Sequence, residues 1–261
     1  MERLTHATMA NIAPLFAGWN ETPIWSCLQG YMGQAWADDA QRPASAQIIV
    51  GDFCVFAGLP NKELAAHIPA EFPSDTILMI PQNEAWAALI EQAYPSRFER
   101  VLRYAIKKEP DVFDRIKLQS YIDNLPHGYT LSMIDEALYT KAKAESWSRD
   151  LCSQFPSYAS FEAHGVGVMA LYGTIPVAGA SSYSVYDKGI EIEVDTSRDF
   201  RRKGLALACC AKLILECLDR GLYPSWDAHD LRSVALSEKL GYHMDKEYVT
   251  YIITAKATKG Q

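Results

Sequence analysis

The chain has 261 residues, enough for one large domain or two of ordinary size. About half of its residues (49%) are apolar, which excludes a disordered protein. The net charge of −7 argues against a nucleic-acid-binding protein and against one that binds anionic membranes, although the triplet at 201–203 is basic. We therefore expect no nucleic-acid partner and no membrane partner.

The location in the cell is predicted from the start of the chain and from the cysteines. Residues 1–16 mix charged and polar side chains and lack the apolar core of a signal peptide, so no leader is expected. The apolar run at 205–211 is far shorter than the roughly 20 residues that span a bilayer. The six cysteines form no CxxC pair and no HExxH occurs, which favours free thiols and no metal site. We predict a cytoplasmic protein.

Residues 1–124 predict an α/β domain. The expected elements are mostly helix over 1–41, two strands joined at Gly51-Asp52 within 46–60, a short helix over 62–69 and a strand over 76–80. Asn83 is the expected N-cap of a helix that runs to about residue 93. The stretches 97–106 and 111–122 fit strand or helix, and both alternatives stay open.

The run Asn-Leu-Pro-His-Gly at 124–128 is a turn with two strong breakers, and it predicts a boundary between domains at 1–124 and 125–261. The expected elements beyond it are strand 129–134, helix 135–152, strands 165–172, 177–186 and 190–196, helix 204–220, strand 222–226, helix 231–239 and strand 246–254. The short turns between the three central strands favour an antiparallel meander. The expected fold class is α+β with a mixed sheet.

The stretch 190–206, IEIEVDTSRDFRRKGLA, organises this second half. Its first residues alternate apolar and acidic side chains, so Glu191 and Glu193 share one face of a strand. A basic, glycine-containing turn then leads into an apolar helix whose first backbone N–H groups lack partners. Those N–H groups, the helix dipole and three flanking cations predict an anion site, and we predict that it holds the pyrophosphate of a coenzyme.

Two motifs carry a family resemblance. Residues 201–206 (RRKGLA) fit the pattern [QR]xxGx[GA], and residues 234–242 (VALSEKLGY) follow in the expected order. On these motifs, residues 127–255 resemble the GNAT acetyltransferase superfamily. The stretches GDFCVFAGLPN (51–61) and WDAHDLRSVALSEKLGY (226–242) look like the two-domain group typified by the zwittermicin A resistance acetyltransferases. This resemblance implies a GNAT fold in the C-terminal half and a distinct N-terminal α/β domain.

The resemblance also implies acetyl-CoA as cosubstrate and a set of binding residues. Backbone N–H groups over 202–206 are expected to bind the pyrophosphate, which Gly204 can approach closely because it has no side chain. Main-chain groups around Val194 and Thr196 are expected to pair with the pantetheine arm. The position of Asp230 is usually Asn in the superfamily. The full expected set is Val194, Thr196, Arg201, Arg202, Lys203, Gly204, Leu205, Ala206, Asp230 and Ser233.

Direct acetyl transfer from a thioester to an amine needs a base and an acid. Glu191 and Glu193 are the candidate bases, and Glu193 is favoured because it lies nearer the end of the strand. The family often uses a tyrosine as the acid, but Ser237 occupies that position here. The remaining candidates for the acid are His229, held by its acidic neighbours, Tyr242, Tyr251 and Ser237 acting through a water.

The sequence therefore predicts an acetyl-CoA-dependent N-acetyltransferase that acts on the amine of a small molecule, such as an antibiotic or a metabolite. Direct transfer is favoured because no cysteine lies in a motif with a base. Two alternatives stay open: an acyl-CoA-binding regulator, suggested by Ser237 and Asp230, and a protein N-acetyltransferase. A homodimer is compatible with the sequence.

Overall fold

The structure is a computed structural model that describes residues 1–254. Its strands are β1 (Glu2–Arg3), β2 (Gln34–Ala37), β3 (Ser45–Val50), β4 (Phe53–Gly58), β5 (Thr76–Ile80), β6 (Phe98–Ile106), β7 (Tyr129–Met133), β8 (Gly167–Tyr172), β9 (Ile175–Tyr186), β10 (Gly189–Thr196), β11 (Tyr223–Ser225), β12 (Asp227–Ala228) and β13 (Met244–Thr254). Its α-helices are α1 (His6–Met9), α2 (Thr22–Leu28), α3 (Lys62–Ala65), α4 (Glu84–Ala93), α5 (Arg115–Asp123), α6 (Glu136–Ala144), α7 (Tyr158–His164), α8 (Leu205–Asp219) and α9 (Leu231–Leu240). Short 3-10 segments lie at Ala10–Phe16, Arg149–Leu151 and Arg198–Phe200.

The chain divides into two compact units, residues 1–103 with 247–254 and residues 104–246. The division falls within β6 and β13, and not at the boundary of 124/125 that the turn at 124–128 predicts. Residues 104–124 belong to the second unit because α5 packs on α8 and the end of β6 pairs with β12. β13 belongs mainly to the first unit because its last residues pair with β5.

The first unit is built on a sheet in which β1 to β5 lie in order, followed by β13 and β6. β4 and β5 pair in parallel, whereas β3 and β4 form an antiparallel hairpin. Successive side chains of these strands enter two different cores, as expected when both faces of a sheet are covered. Cys54 and Phe56 pack with Trp86 of α4, and Val55 packs with Ile12 of the first 3-10 segment.

Most elements predicted for this unit are confirmed. The hairpin turns at Gly51-Asp52, and Asn83 caps α4 through its side chain. The expectation of mostly helix over 1–41 is wrong for Gln34–Ala37, which forms β2 because it pairs with β1 and β3. The two open stretches become strand β6 and helix α5.

The second unit is built on a five-stranded sheet in the order β11-β10-β9-β8-β7. β7 to β10 form the predicted antiparallel meander, and β10 pairs in parallel with β11. α8 packs across β8, β9, β10 and β11. Nine of its fifteen residues are buried, because its apolar residues cover most of the helix surface. The predicted mixed α+β class is confirmed.

One predicted helix is shorter than expected. The pattern over 135–152 predicts one continuous helix, but α6 ends at Ala144, and Glu145 is extended. The hydroxyl of Ser148 donates to the carbonyl of Ala142 at 3.0 Å, which satisfies an acceptor at the helix end. The chain then forms the 3-10 segment Arg149–Leu151.

Among residues 1–254, no helix combines the length and the apolar character that crossing a bilayer would require.

The pairing of β10 with β11 leads to a prediction about Gly189. A Cβ at this position would overlap the carbonyl oxygen of Tyr223 in the neighbouring strand and lie 2.8 Å from the hydroxyl of Tyr186. We expect Gly189→Ala to lower the free energy of unfolding by about 3 kcal/mol, because strand backbone must move. Urea unfolding followed by circular dichroism measures this loss.

Gly173→Ala is the control. Gly173 lies in a turn with φ +61°, and no other atom would lie within 4 Å of its Cβ. Its substitution should cost about 1 kcal/mol, from the left-handed backbone alone. Equal losses in the two variants would contradict the close approach at Gly189.

Candidate functional site

The centre of the candidate site is the point where two parallel strands part. β10 and β11 pair over three positions, and the last of them sets Glu191 opposite Ser225. The chain then leaves β10, because β12 pairs antiparallel with the end of β6. β10 itself continues to Thr196. Beyond Glu191, the edge of β10 is therefore no longer paired with β11.

The backbone of β10 presents polar groups at this open edge. The N–H of Ser197 donates to a carbonyl of β9 at 2.9 Å. Because backbone directions alternate along a strand, the N–H and C=O groups of Val194 and Thr196 point to the opposite edge, which β11 has left. Those of Thr196 are engaged by side chains: its N–H donates to Asp195 Oδ1 at 2.6 Å, and its carbonyl accepts from Arg201 Nε at 3.1 Å.

Buried hydrogen bonds hold β11 in place at the point of parting. The hydroxyl of Tyr242 donates to the carbonyl of Pro224 at 2.6 Å, and the N–H of Tyr223 donates to the carbonyl of Lys188 at 2.7 Å. Burial raises the pKa of Tyr242 well above its ordinary value. Tyr242, a candidate acid from the sequence, is thus committed to a backbone carbonyl, and it positions the strand.

The loop that follows β10 forms the start of α8. Arg202 and Gly204 both lie in the left-handed region, with φ of +61° and +79°. Gly204 is the N-cap residue of α8 and supplies no side-chain cap, so the N–H groups of the first turn remain available. A Cβ on Gly204 would have no protein atom within 4 Å. The loop therefore presents helix N–H groups next to open space, a geometry suited to an anion.

Three exposed cations flank this helix start. Arg201 turns back towards β10, with its guanidinium 4.0 Å from Asp195 Oδ1, and Lys203 places its ammonium 4.7 Å from the centre of the Phe200 ring. Burial raises the pKa of Asp195, against the N–H of Thr196 and the guanidinium of Arg201, which lower it. The positive charge and the helix dipole reinforce each other at this end of α8.

The two candidate bases occupy different surroundings on one face of β10. Glu191 is 7% exposed and lies at the last position paired with β11, whereas Glu193 is half-buried beyond the parting. Glu193 lies close enough to Cys210 of α8, and Glu191 close enough to Tyr242, to affect the pKa of each. Burial, then Cys209 and Glu193, raise the pKa of Cys210 in α8, and Glu191 is among the smaller causes of the raised pKa of Tyr242.

Two buried serines, which the sequence analysis missed, share this face. Ser184 lies opposite Glu191 and Ser181 opposite Glu193, so all four side chains project from the same side of the sheet. Both serines are fully buried, and within residues 1–254 their Oγ atoms find no hydrogen-bond partner. The signal in the sequence is the Ser-Ser-Tyr-Ser run inside an otherwise apolar strand.

Asp230 serves as the N-cap of α9. Its Oδ1 accepts the N–H groups of Arg232 at 2.9 Å and Ser233 at 3.0 Å. The guanidinium of Arg232 binds Oδ2 and, as the largest cause, holds the pKa of Asp230 below its ordinary value. The Oγ of Ser233 accepts a hydrogen bond from the indole of Trp226 at 3.1 Å. Both side chains predicted to bind coenzyme are therefore engaged within the protein.

The other candidate acids differ in accessibility. Ser237 is buried and donates to the carbonyl of Val234 at 2.8 Å. Tyr251 belongs to the first unit and donates to Glu91 at 2.7 Å. The side chain of His229, directly after β12, is 71% exposed, and its Nδ1 lies 3.4 Å from Asp230 Oδ2. Among these side chains, His229 alone presents an exposed titratable group.

The chain resembles known proteins along most of its length. A family model described as GNAT acetyltransferase matches residues 13–251. The chain is 24% identical to an uncharacterized N-acetyltransferase, YdfB, of Bacillus subtilis (strain 168), over 96% of this chain and 98% of that protein.

Solved structures have the same fold. A GCN5-related N-acetyltransferase-like protein from Streptococcus suis 89/1591 is 46% identical with a TM-score of 0.88, over 94% of this chain and 98% of that one. A tandem GNAT protein from the clavulanic acid biosynthesis pathway is 13% identical with a TM-score of 0.57, over 97% of this chain and 94% of that one. The second likeness concerns the fold alone.

The capping role of Asp230 leads to a prediction about stability. We expect Asp230→Ala to lower the free energy of unfolding by about 1 kcal/mol, because two N–H groups of α9 lose their acceptor. Asp230→Asn should keep most of the stability, since an amide oxygen can cap in the same way. Thermal unfolding at neutral pH measures both variants, and equal losses would contradict the cap.

The charge of Asp230 adds a dependence on pH. Because the pKa of Asp230 is lowered in the folded protein, the ionised carboxylate favours folding above its ordinary pKa of about 3.9. This contribution is lost as the pH falls through the lowered value. The stability difference between wild type and Asp230→Asn should therefore shrink on acidification. Asp245→Asn, which changes an exposed aspartate of β13 outside any cap, is the control.

Proposed function

Because the chain belongs to the GNAT acetyltransferase family, we propose that it transfers the acetyl group of acetyl-CoA directly to the amine of a small molecule. As a member of this family the protein is an acyltransferase, an N-acetyltransferase. The proposal concerns the donor, the acceptor and the residues that act. The observation that carries it is the combination of two features: β10 and β11 part after Glu191, and α8, the next α-helix after β10, starts at Gly204 without a side-chain cap.

The start of α8 fits the diphosphate of a coenzyme. Its first-turn N–H groups, its dipole and the cations at 201–203 all favour negative charge. The open space beside Gly204 lets a phosphate oxygen reach these N–H groups. We assign the backbone from Arg202 to Ala206 to this contact, and the cationic side chains to compensation of the negative charges of the coenzyme as a whole.

The open edge of β10 fits an extended amide chain. Val194 directs its N–H and C=O towards this edge, as Thr196 does, and an arm with amide groups can pair there as an added strand would. The groups of Thr196 would exchange their present side-chain partners for the arm. Acetyl-CoA supplies a thioester, which would lie towards the point of parting near Glu191.

Glu193 is the proposed base. An ammonium must lose its proton before its nitrogen can attack a thioester, and a half-buried carboxylate beside the open edge can accept that proton directly or through a water. Glu191 lies deeper on the same face and is the second candidate. Ser181 and Ser184 offer hydroxyls from which these carboxylates can receive hydrogen bonds.

His229 is the proposed group that assists the departing thiolate. It follows β12, the strand that diverges from β10, and its ring is exposed. Asp230 Oδ2 lies near its Nδ1 and can hold a proton on that nitrogen, so the proton given to the thiolate comes from Nε2 of the imidazolium, which carries a proton on both nitrogens. The hydroxyls of Ser237 and Tyr242 are bound to backbone carbonyls, which weakens both as donors of a proton.

The cysteines support direct transfer and not an acyl-enzyme. All six are buried, and burial raises the pKa of Cys152, Cys209 and Cys217 to about 12. A thiol with such a pKa is almost entirely protonated at neutral pH and is a weak nucleophile. The acetyl group is therefore proposed to pass from coenzyme to amine in one ternary complex.

The acceptor is proposed to be a small amine. The resemblance of 51–61 and 226–242 to the zwittermicin A resistance acetyltransferases makes aminated antibiotics the first class to screen. A cytoplasmic location and a role in antibiotic resistance belong to the same proposal. A panel of antibiotics, amino acids, polyamines and peptides, followed by thiol release, tests the class of acceptor.

The open space at Gly204 leads to a test of coenzyme binding. We expect Gly204→Ala to weaken acetyl-CoA binding at least about tenfold, because a Cβ would stand where the diphosphate lies. Isothermal titration measures the dissociation constant. Gly221→Ala is the matched control: Gly221 follows α8, has φ +70° and is equally open. Both variants share the backbone strain, and an equal loss of affinity would contradict the diphosphate site.

The assignment of the base leads to a second test. We expect Glu193→Gln to lower kcat by about 10²- to 10⁴-fold and to leave the affinity for acetyl-CoA unchanged. Glu216→Gln, on the polar stripe of α8, is the control that should retain activity. The loss should be larger at neutral pH than at high pH, where the amine is already deprotonated. Unchanged kcat in Glu193→Gln, Glu191→Gln and His229→Ala would refute all three roles.

The overall proposal has clear contrary outcomes. No binding of acetyl-CoA at millimolar concentration would overturn the assignment of the donor. Binding without turnover on any amine would favour a coenzyme-binding regulator. Turnover on peptides alone would favour a protein N-acetyltransferase.

A further inference from the structure

Three aromatic rings, which the proposed chemistry does not use, cluster beside the loop that leads into α8. We name Tyr129, Tyr172 and Phe200 the aromatic patch. The rings of Tyr129 and Tyr172 are 5.2 Å apart between centroids, and the Phe200 ring lies 6.3 Å from the first and 6.2 Å from the second. Each ring thus contacts the other two, although Tyr172 is 51% exposed.

The fold assembles the aromatic patch from three elements. Tyr129 and Tyr172 are directly opposite each other where the β7–β8 pairing begins and ends, and Phe200 comes from the 3-10 segment after β10. Gly128 makes room for this arrangement, because a Cβ there would lie 3.3 Å from the Tyr172 ring. The patch is therefore continuous with the loop that begins α8.

A cation completes this surface. The ammonium of Lys203 lies 4.7 Å from the centre of the Phe200 ring, and the lysine itself is exposed. Phe200 and Lys203 stand in the same short loop as Arg202 and Gly204. A ligand whose diphosphate sits at the start of α8 would have its next groups within reach of both the ring and the ammonium.

We propose that the aromatic patch and Lys203 form the subsite for the 3′-phosphoadenosine end of the coenzyme. The purine stacks on the exposed Tyr172 ring, since flat aromatic side chains bind nucleobases by stacking. The ammonium of Lys203 pairs with the phosphate on the ribose. This inference rests on the proposed use of acetyl-CoA, and it adds the residues that recognise the nucleoside.

A purely structural role for the patch makes a different prediction. If the rings only anchored the loop, their loss would disturb the diphosphate site and weaken every coenzyme fragment alike. If they bind the purine, their loss would weaken only ligands that carry it. Acetyl-CoA and acetyl-4′-diphosphopantetheine, which keeps both phosphates of the diphosphate and lacks only the 3′-phosphoadenosine, distinguish the two roles.

The first experiment changes the ring. We expect Tyr172→Ala to weaken acetyl-CoA binding about tenfold and to leave acetyl-4′-diphosphopantetheine binding unchanged, as measured by isothermal titration. Tyr172→Phe should keep wild-type affinity, because the stacking ring remains. Tyr158→Ala removes a partly exposed tyrosine that contacts another aromatic cluster, at Tyr139, and should change neither affinity.

The second experiment changes the charge. Lys203→Met keeps the backbone N–H groups of the loop and most of the side-chain length. Wild type should prefer acetyl-CoA to acetyl-dephospho-CoA, which lacks the 3′-phosphate, and Lys203→Met should lose at least about five- to tenfold of that preference.

Three outcomes would overturn the inference. Equal weakening of both ligands by Tyr172→Ala would give the patch an anchoring role only. An unchanged affinity for acetyl-CoA in that variant would remove the purine from the patch. A wild-type protein that binds acetyl-4′-diphosphopantetheine as tightly as acetyl-CoA would refute the subsite and leave the proposed function intact, whereas binding of neither ligand would overturn the proposed function as well.

Discussion

β11 leaves β10 because the two-residue strand β12 pairs with the end of β6. β11 belongs to the sheet of β10 and β12 to the sheet of β6, so the chain passes from one sheet to the other at Trp226. The ladder ends at Glu191, and β10 continues alone on that side to Thr196. The open edge of β10, along which Glu193 and the approach to α8 lie, follows from this change of sheet.

The loop that leads into α8 has a strained backbone, and the helix that follows it has no side-chain cap. Arg202 lies in the left-handed region, where a non-glycine residue costs roughly 1–2 kcal/mol, and the N-cap residue Gly204 offers no side-chain acceptor. The extensive burial of α8 against the sheet offsets these costs. By contrast, Asp230 caps α9 with its side chain and fills the space that an anion would need. Of these two helix starts, only that of α8 leaves its N–H groups open to an anionic ligand.

The local elements were largely predictable from the sequence, but their partners were not. The meander, the hairpin at Gly51-Asp52 and the cap at Asn83 depend on residues close together in the chain, and all of them are confirmed. The end of α6 was not predicted, because it depends on one serine hydroxyl that returns to the carbonyl of Ala142. The division of the chain into two units was placed differently, because residues 104–124 are held by packing on α8 and pairing with β12.

The sequence by itself determined the family, the mixed fold of strands and helices and the basic glycine turn at 201–206, since each depends on a short pattern of residues. Only the tertiary structure decided which side chains remain accessible around that turn. The hydroxyls of Tyr242 and Ser237 donate to backbone carbonyls. Ser181 and Ser184 lie opposite the two glutamates of β10, and the ring of Tyr172 contacts that of Phe200. Hydrogen bonds and register between distant strands set these positions, and no local pattern encodes them.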